Sequence, residues 1–483
     1  MARSIKKNFF YNLIYQMSII IVPIITIPYV SRVLTPGYLG IESIVKANTQ
    51  YFILFGTLGI GIYGSRKIAE VRDNNVELKK TFWEIFAIQF TGCIIAGIVF
   101  LFFASNSQYS RYYYIQGLLI ISYAIDISWY FRGIEDFKKA SLRAVLVKGS
   151  GVFLILLFIK DPSDIWKYIF INTGMNLFGQ VVMWFYIDKA ILSINDIRNM
   201  TISKHLNQII IFFVPEVAIQ IYTVMDKTMI SFFGNTAEIA YYDQSQKIIS
   251  IALSAVTSLG LVMLPRIANL LSRNKVDEAK VYLYKAFQFN AFLSIPISLG
   301  ILGVSNNFVP VFFGAEYIKV IPLMMIGSII IISTGITDVF GTQYLLANGK
   351  IKEYNISVII GAISNLILNF IFIPKFLSIG AIIASVISYI LIGIFQTYFS
   401  RHLITKKYIQ VILKYLICGV FMELYILLVN IIYICSFQKL IIQIFGGIII
   451  YFFILVILRD EIILSNAKKV INVFNNMIRR NLK

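Results

Sequence analysis

IVKANTQYFILF, residues 44–55, is an apolar stretch with a lysine inside it. Two further stretches share the trait: YTVMDKTMISFF at 222–233 holds Lys227, and YYDQSQKIISIALSAV at 241–256 holds Lys247. Each sits in an apolar block of about 20 residues, the length of a helix that crosses a bilayer. An ionisable group at membrane depth is costly and persists when it faces a bundle interior or a wet cavity. These lysines therefore read as the lining of a polar chamber that attracts an anion. The competing reading is that their ammonium groups snorkel to a nearby interface.

The remainder of the chain has the same character. Of its 483 residues 58% are hydrophobic and 14% charged, and the mean hydropathy is +0.78; a soluble domain carries about 25% charged residues. Apolar blocks recur along the whole length, which predicts an all-α polytopic membrane protein with about fourteen transmembrane helices. No polar stretch is long enough to fold as a soluble domain. The net charge of +19 does not point to nucleic acid, because the basic residues lie in short segments between apolar blocks. They concentrate in alternate loops, such as SRKIAEVRDNNVELKK (65–80) and PRIANLLSRNKVDEAK (265–280), and are sparse in the intervening ones, such as FASNSQYSR (103–111) and GNTAE (234–238). That alternation predicts an even number of spans with both termini cytoplasmic. The apolar run after MARSIKKNFF is too long for a signal peptide and reads as an uncleaved first span. Three cysteines suggest no disulfide framework, and His205 and His402 fall in segments that read as cytoplasmic loops, so a metal site is not expected.

Sliding the chain against itself by about 201 residues superposes Glu42 and Lys46 on Asp243 and Lys247, and Leu58-Gly59 on Leu259-Gly260. The implied organisation is a six-helix lobe over 1–200, a pseudo-symmetric six-helix lobe over 201–405, two extra transmembrane helices over 406–458, and an amphipathic cytoplasmic tail over 459–483. A six-span repeat keeps its orientation, so the two lobes relate by an axis along the membrane normal. Pro23 and Pro28 in the first span and Pro215 in the seventh are expected to break those helices, as in the moving elements of transporters.

The candidate binding residues follow from this layout. Glu42 and Lys46 share a helix face, as do Asp243 and Lys247. Asp226 and Lys227 are adjacent and point about 100° apart, so they do not simply neutralise each other. Arg32, at the outer end of the first span, adds a further cation. All of these fall in the outer half of the bilayer by the loop pattern. Asp338, in STGITDVFGTQY (333–344), is a candidate for binding a coupling proton or cation, and Glu216 and Glu423 are weaker ones; the competing reading for each is a protonated, hydrogen-bonded structural acid. There is no catalytic motif, no nucleotide-binding loop and no long outer loop to shelter an enzyme site. Transport driven by a H+ or Na+ gradient, by membrane potential or by consumption of the product is expected, with no cofactor.

Four stretches carry a specific resemblance: KNFFYNLIYQMSIIIVPIITIPYVSRVLTPGYLGIES (7–43), YFILFGTLGIGIYGSRKIAEVRDN (51–74), YTVMDKTMISFFGNTAEIAYYDQSQKI (222–248) and TSLGLVMLPRIANLL (257–271). In order and spacing the chain resembles the Wzx-type lipid-linked oligosaccharide flippases, the polysaccharide-transport branch of the MOP (MATE-like) exporter superfamily. It departs from their pattern at Thr35, where Gly is usual, and at Ser231. The resemblance implies two six-helix lobes around a central cavity that opens alternately to each side. It implies a substrate of undecaprenyl diphosphate carrying a short oligosaccharide, moved to the outer leaflet of the bacterial inner membrane for capsule, O-antigen or other surface polysaccharide. Arg32, Lys46, Lys227 and Lys247 would meet the diphosphate or acidic sugars, with Glu42, Asp226 and Asp243 holding them. A polysaccharide polymerase and chain-length machinery are the implied partners.

Three other readings stay open. A peptidoglycan lipid-precursor flippase shares the lipid diphosphate, whereas a MATE-type drug exporter would favour an acid-dominated cavity. A membrane polysaccharide polymerase would be expected to carry a large external loop with catalytic groups.

Overall fold

The computed structural model describes residues 5–192, 201–258, 260–432, 437–460 and 462–463. Among them there are helices and turns and no strand, the outcome expected where the backbone must satisfy its own hydrogen bonds inside lipid. Among the described residues, seven segments are long and apolar enough to cross a membrane: Asn75–Ser105, Ser141–Phe158, Val276–Phe312, Val320–Leu346, Ile351–Phe399, Lys406–Ile432 and Phe437–Ile457. Their outward faces are apolar. Ile98 and Phe102 are 64% and 74% exposed, and Phe445, Ile449 and Phe453 are likewise bare, a surface suited to lipid. The protein is a multi-pass membrane protein. The amphipathic tail expected over 459–483 lies, apart from residues 459, 460, 462 and 463, outside the described residues.

The chain divides into two compact units, Met1–Asp243 with Leu366–Ala381, and Gln244–Asn365 with Ile382–Lys483. In the first, α1 (Ile5–Val33) leads through Thr35 into α2 (Pro36–Thr57), where Pro36 takes the first helical turn, whose N–H groups have no intrahelical acceptor. α3 (Ile60–Val71) follows at once. α4 (Asn75–Ser105) starts where the Asn74 side chain accepts from the amides of Val76 and Glu77 at 3.1 and 3.3 Å. Three short helices, α5 (Ser110–Gln116), α6 (Leu118–Ala124) and α7 (Ser128–Gly133), precede α8 (Phe137–Phe158), α9 (Ile165–Trp184) and α10 (Lys189–Leu192). α11 (Ser203–Phe233), the first turns of α12 (Thr236–Thr257) and the later segment Leu366–Ala381 complete the unit. Ile60, Tyr63, Phe82, Trp129, Tyr130 and Met183 are buried together at its centre.

The second unit takes up the rest of α12, then α13 (Gly260–Ser272) and α14 (Val276–Phe312). α15 (Val320–Gly327) and α16 (Ile329–Thr337) run into a π-helical segment, Asp338–Leu346. α17 (Ile351–Phe399) is two helices joined at Leu377, whose φ of 50° and ψ of −125° interrupt it three residues after Pro374. α18 (Lys406–Ile432) and α19 (Phe437–Ile457) close the fold. Phe287, Phe340, Tyr408, Tyr415 and Tyr451 share its core. After α19, Asp460 is fully buried, paired with Lys414 at 2.6 Å and accepting from the Tyr415 hydroxyl at 3.1 Å.

The prolines do not break the helices that carry them. α1 is continuous through Pro23 and Pro28, and α11 runs from Ser203 to Phe233 across residue 215. The interruption falls instead in the next helix of each pair. Between α2 and α3, Leu58 and Gly59 both have left-handed backbone, φ 50° and 76°. Between α12 and α13 the break precedes Gly260. A proline inside a membrane helix costs one hydrogen bond that neighbours can make good, whereas two successive left-handed residues reverse the helical screw. Helix boundaries recur 200 or 201 residues apart: Val33 with Phe233, Thr57 with Thr257, Asn75 with Val276.

Candidate functional site

The candidate charges lie on α2, α11 and α12. Within the first unit the three helices are held together by polar contacts. The Tyr51 hydroxyl meets Thr228 Oγ1 at 3.2 Å, and Thr228 Oγ1 donates to Asn48 Oδ1 at 3.4 Å, so α2 is fixed to α11 beside Lys227. Gly40, at the start of α2, abuts the Thr236 carbonyl at the start of α12, an approach that a Cβ would forbid.

Asp226 and Lys227 diverge, as adjacent helical residues must. Lys227 pairs with the Asp243 carboxylate on α12, with its side chain 21% exposed and that of Asp243 8%. Asp226 is fully buried. It accepts from the Tyr242 hydroxyl and, at 2.6 Å, from Asn369 Nδ2 on α17. The result is a layer in which each acid of one helix meets a donor of the next. Lys46 stands apart in character. Its ammonium is 4.0 Å from the buried Glu42 carboxylate one turn earlier, and its side chain remains 49% exposed. A half-exposed ammonium loosely tied to its acid is available to a ligand in a way that the closed Lys227–Asp243 pair is not.

Arg32 is exposed in the last turn of α1. Lys247 is partly buried one turn beyond Asp243 on α12, in the stretch that belongs to the second unit. Tyr242 is buried, and its hydroxyl is used by Asp226.

The two candidate coupling acids occupy matching places, one in each unit. In the first, Glu216 lies against the α2–α3 break: a Cβ on Gly59 would stand 3.1 Å from Glu216 Oε2, an atom that is buried with no hydrogen-bond partner. In the second, Asp338 lies against the α12–α13 break: a Cβ on Gly260 would come within 2.7 Å of its Oδ2. Asp338 accepts from Asn290 Nδ2 at 3.0 Å and from Gln343 Nε2 at 2.7 Å, and it opens the π-helical segment, a local form that recurs at functional sites. Glu423 on α18 is also held by close packing, against Gly303 of α14, and neither carboxylate oxygen has a hydrogen-bond partner.

One ionic cluster was not expected. His205 is no loop residue: it is buried, with Nε2 2.9 Å from Glu84 Oε2 and Nδ1 on the Tyr63 hydroxyl. Glu84 is itself fully buried and also takes Lys204 Nζ at 2.8 Å and the Thr201 amide at 2.8 Å. The sequence did carry a signal for it, a glutamate inside the apolar block FWEIFAIQF. Asn369, in LILNFIFIP, is a second polar residue at depth that periodicity alone leaves unassigned.

The comparisons with known proteins fit this architecture. The family model described as "Polysaccharide biosynthesis protein" matches residues 5–271, and the model of the lipid II flippase MurJ matches residues 163–449. The "Putative O-antigen transporter" of Escherichia coli (strain K12) is 23% identical over 394 residues, covering 79% of this chain and 92% of that protein. Among solved structures, the lipid II flippase MurJ in an inward closed conformation superposes with a TM-score of 0.70 at 19% identity, covering 94% of this chain and 99% of that one. An inward-facing multidrug resistance MATE family transporter of the MOP superfamily gives 0.57 at 15% identity, covering 82% and 94%. These likenesses show the fold. With more than half of its length matched by the family model, the chain belongs to the polysaccharide biosynthesis protein family.

Proposed function

We propose that this protein is a flippase that carries an undecaprenyl-diphosphate-linked oligosaccharide from the cytoplasmic to the outer leaflet of the bacterial inner membrane, for assembly of surface polysaccharide. A diphosphate head cannot cross about 30 Å of hydrocarbon unaided. The transporter need only offer the head a wet, positive path and alternate its access; no bond is made or broken. The observation that carries the reading is the placement of Lys46 and of the Lys227–Asp243 pair on helices of a polysaccharide-family membrane transporter, with Lys46 left half-exposed beside a buried acid. Arg32 and Lys247 are assigned to the same path, and Glu42, Asp226 and Asp243 keep the cations ordered when it is empty.

The arrangement we infer is fourteen membrane helices in two pseudo-symmetric six-helix lobes with two further helices at the C-terminal end, both termini cytoplasmic. The recurrence of helix boundaries and of the broken second helix supports it. Coupling to a H+ or Na+ gradient is assigned to Asp338 and Glu216, each set against the glycine of a helix break where a change of charge state would be felt by both halves of the helix. A polysaccharide polymerase and chain-length regulators are the proposed partners downstream.

A second reading is transport of the peptidoglycan lipid precursor. It is favoured by the MurJ family match over 163–449 and by the TM-score of 0.70 to MurJ. Deletion of the gene in its host separates the two. On the first reading undecaprenyl-linked repeat units accumulate and surface polysaccharide is lost while cell-wall synthesis continues; on the second, lipid-linked peptidoglycan precursor accumulates and the cells lyse.

A further inference from the structure

The first unit contains a cavity of about 790 Å3 that the charged layer does not use. It lies where α2 faces the turn between α4 and α5 and the turn between α11 and α12, both connections being poor in Lys and Arg and so assigned to the outer side. Its volume falls within the range of about 300–1,000 Å3 typical of small-molecule sites.

The lining has a definite chemistry. Among the described residues, no charged one borders the cavity. A hydrogen-bonded relay of neutral groups crosses one wall: Asn48 Nδ2 donates to the Tyr113 hydroxyl at 2.7 Å, Asn48 Oδ1 accepts from Thr228 at 3.4 Å, and Thr228 meets the Tyr51 hydroxyl at 3.2 Å. Each hydroxyl in such a relay has a second hydrogen-bonding capacity beyond the one that fixes it. Aromatic rings form the other wall, with Phe52 and Phe103 5.4 Å apart at their centroids and Phe103 edge-on to Tyr113 at 5.3 Å.

A phosphate would need a cation or a row of amide donors, which this lining lacks. A lipid tail would gain nothing from four ordered polar groups and would leave them without water. What matches both walls is a ring with an apolar face and a rim of hydroxyl groups. The geometry points to a carbohydrate subsite that takes an uncharged sugar of the transported head, on the side where the sugar emerges. This inference rests on the flippase reading and deepens it: the cations handle the diphosphate, and this cavity selects for a neutral sugar over a uronic acid, whose carboxylate would be desolvated among groups that offer it no counter-charge.

The test uses the purified full-length chain in lipid nanodiscs, with saturation-transfer NMR and titration against the methyl glycosides of glucose, galactose, N-acetylglucosamine and glucuronic acid. At least one neutral glycoside is expected to bind, and glucuronide to bind weakly or not at all. Thr228→Val, which removes the link between Asn48 and Tyr51, should weaken binding roughly tenfold, the loss of one or two hydrogen bonds. Ser107→Trp, on the turn bordering the cavity, should abolish it without touching a helix. Absence of binding by every neutral glycoside, or equal binding by the Ser107→Trp protein, overturns the subsite. Complementation of the host deletion is scored separately. A chain that restores polysaccharide without binding glycosides loses the subsite and keeps the transport reading. One that binds glycosides but fails to clear lipid-linked intermediates keeps the subsite and loses the transport reading.

Discussion

Gly260 leaves the carboxylate of Asp338 the space it occupies: a methyl group there would lie 2.7 and 2.8 Å from its two oxygens. Asp338 has little freedom to retreat, since Asn290 and Gln343 both hold it. Gly260→Ala should therefore cost about 1–3 kcal/mol of stability, the usual range for overpacking, and should reduce transport. In an Asp338→Ala background the same substitution should cost less than half as much, because the clash is gone. Thermal unfolding of the four proteins of this cycle measures it. Equal costs in both backgrounds would show that the glycine answers to something other than Asp338.

The Lys227–Asp243 pair allows structure and transport to be separated. Lys227→Ala should destabilise the protein by about 1.5–3 kcal/mol, the range for a hydrogen bond to a charged group. The exchanged pair, Lys227→Asp with Asp243→Lys, should recover most of that stability while transport stays low, because the ammonium then projects from the wrong helix. Recovery of transport along with stability would assign the pair a purely structural role.

Lys46 is expected to behave in the opposite way. Its contact with Glu42 is long and half-exposed, so Lys46→Ala should change stability by less than about 1 kcal/mol. Transport, read as loss of surface polysaccharide at equal membrane level, should fall at least tenfold, and Lys46→Arg should keep part of it. Normal transport by the alanine variant would remove this residue from the substrate path.

Glu84 and His205 tie α4 to the start of α11, away from the charged layer. Glu84→Gln weakens three charge-bearing contacts at once and should lower stability by about 1–3 kcal/mol, with transport declining only in proportion to the folded protein in the membrane. Measured per folded molecule, the rate should be that of the unaltered chain. A drop in that normalised rate would give the cluster a role in the transport cycle.

Much of the helical character was legible because lipid imposes a simple grammar: apolar blocks become helices. The divergence of Asp226 and Lys227 was legible too, since it follows from the helical rotation of adjacent residues. The partners were not. That Asp243 takes Lys227 from another helix, or that Asp226 takes Asn369 from a segment far along the chain, depends on packing between spans, which periodicity does not encode. The prolines misled for a physical reason. Their cost is a missing hydrogen bond, which a bundle can absorb, and the sequence offers no comparable flag for Leu58, an ordinary leucine held in a left-handed conformation. His205 was misplaced because a polar residue near a span boundary looks like a loop until a buried glutamate on another helix claims it.

The paired left-handed residues at Leu58 and Gly59 have a mechanical consequence. A straight α-helix is a rod that passes an axial push from end to end, but reversal of screw sense over two residues uncouples the torque on either side. α2 and α3 thus act as two levers meeting at a pivot, and Glu216 is wedged at that pivot. Holding a leucine there costs on the order of 1–3 kcal/mol, a cost that the packing around the joint offsets.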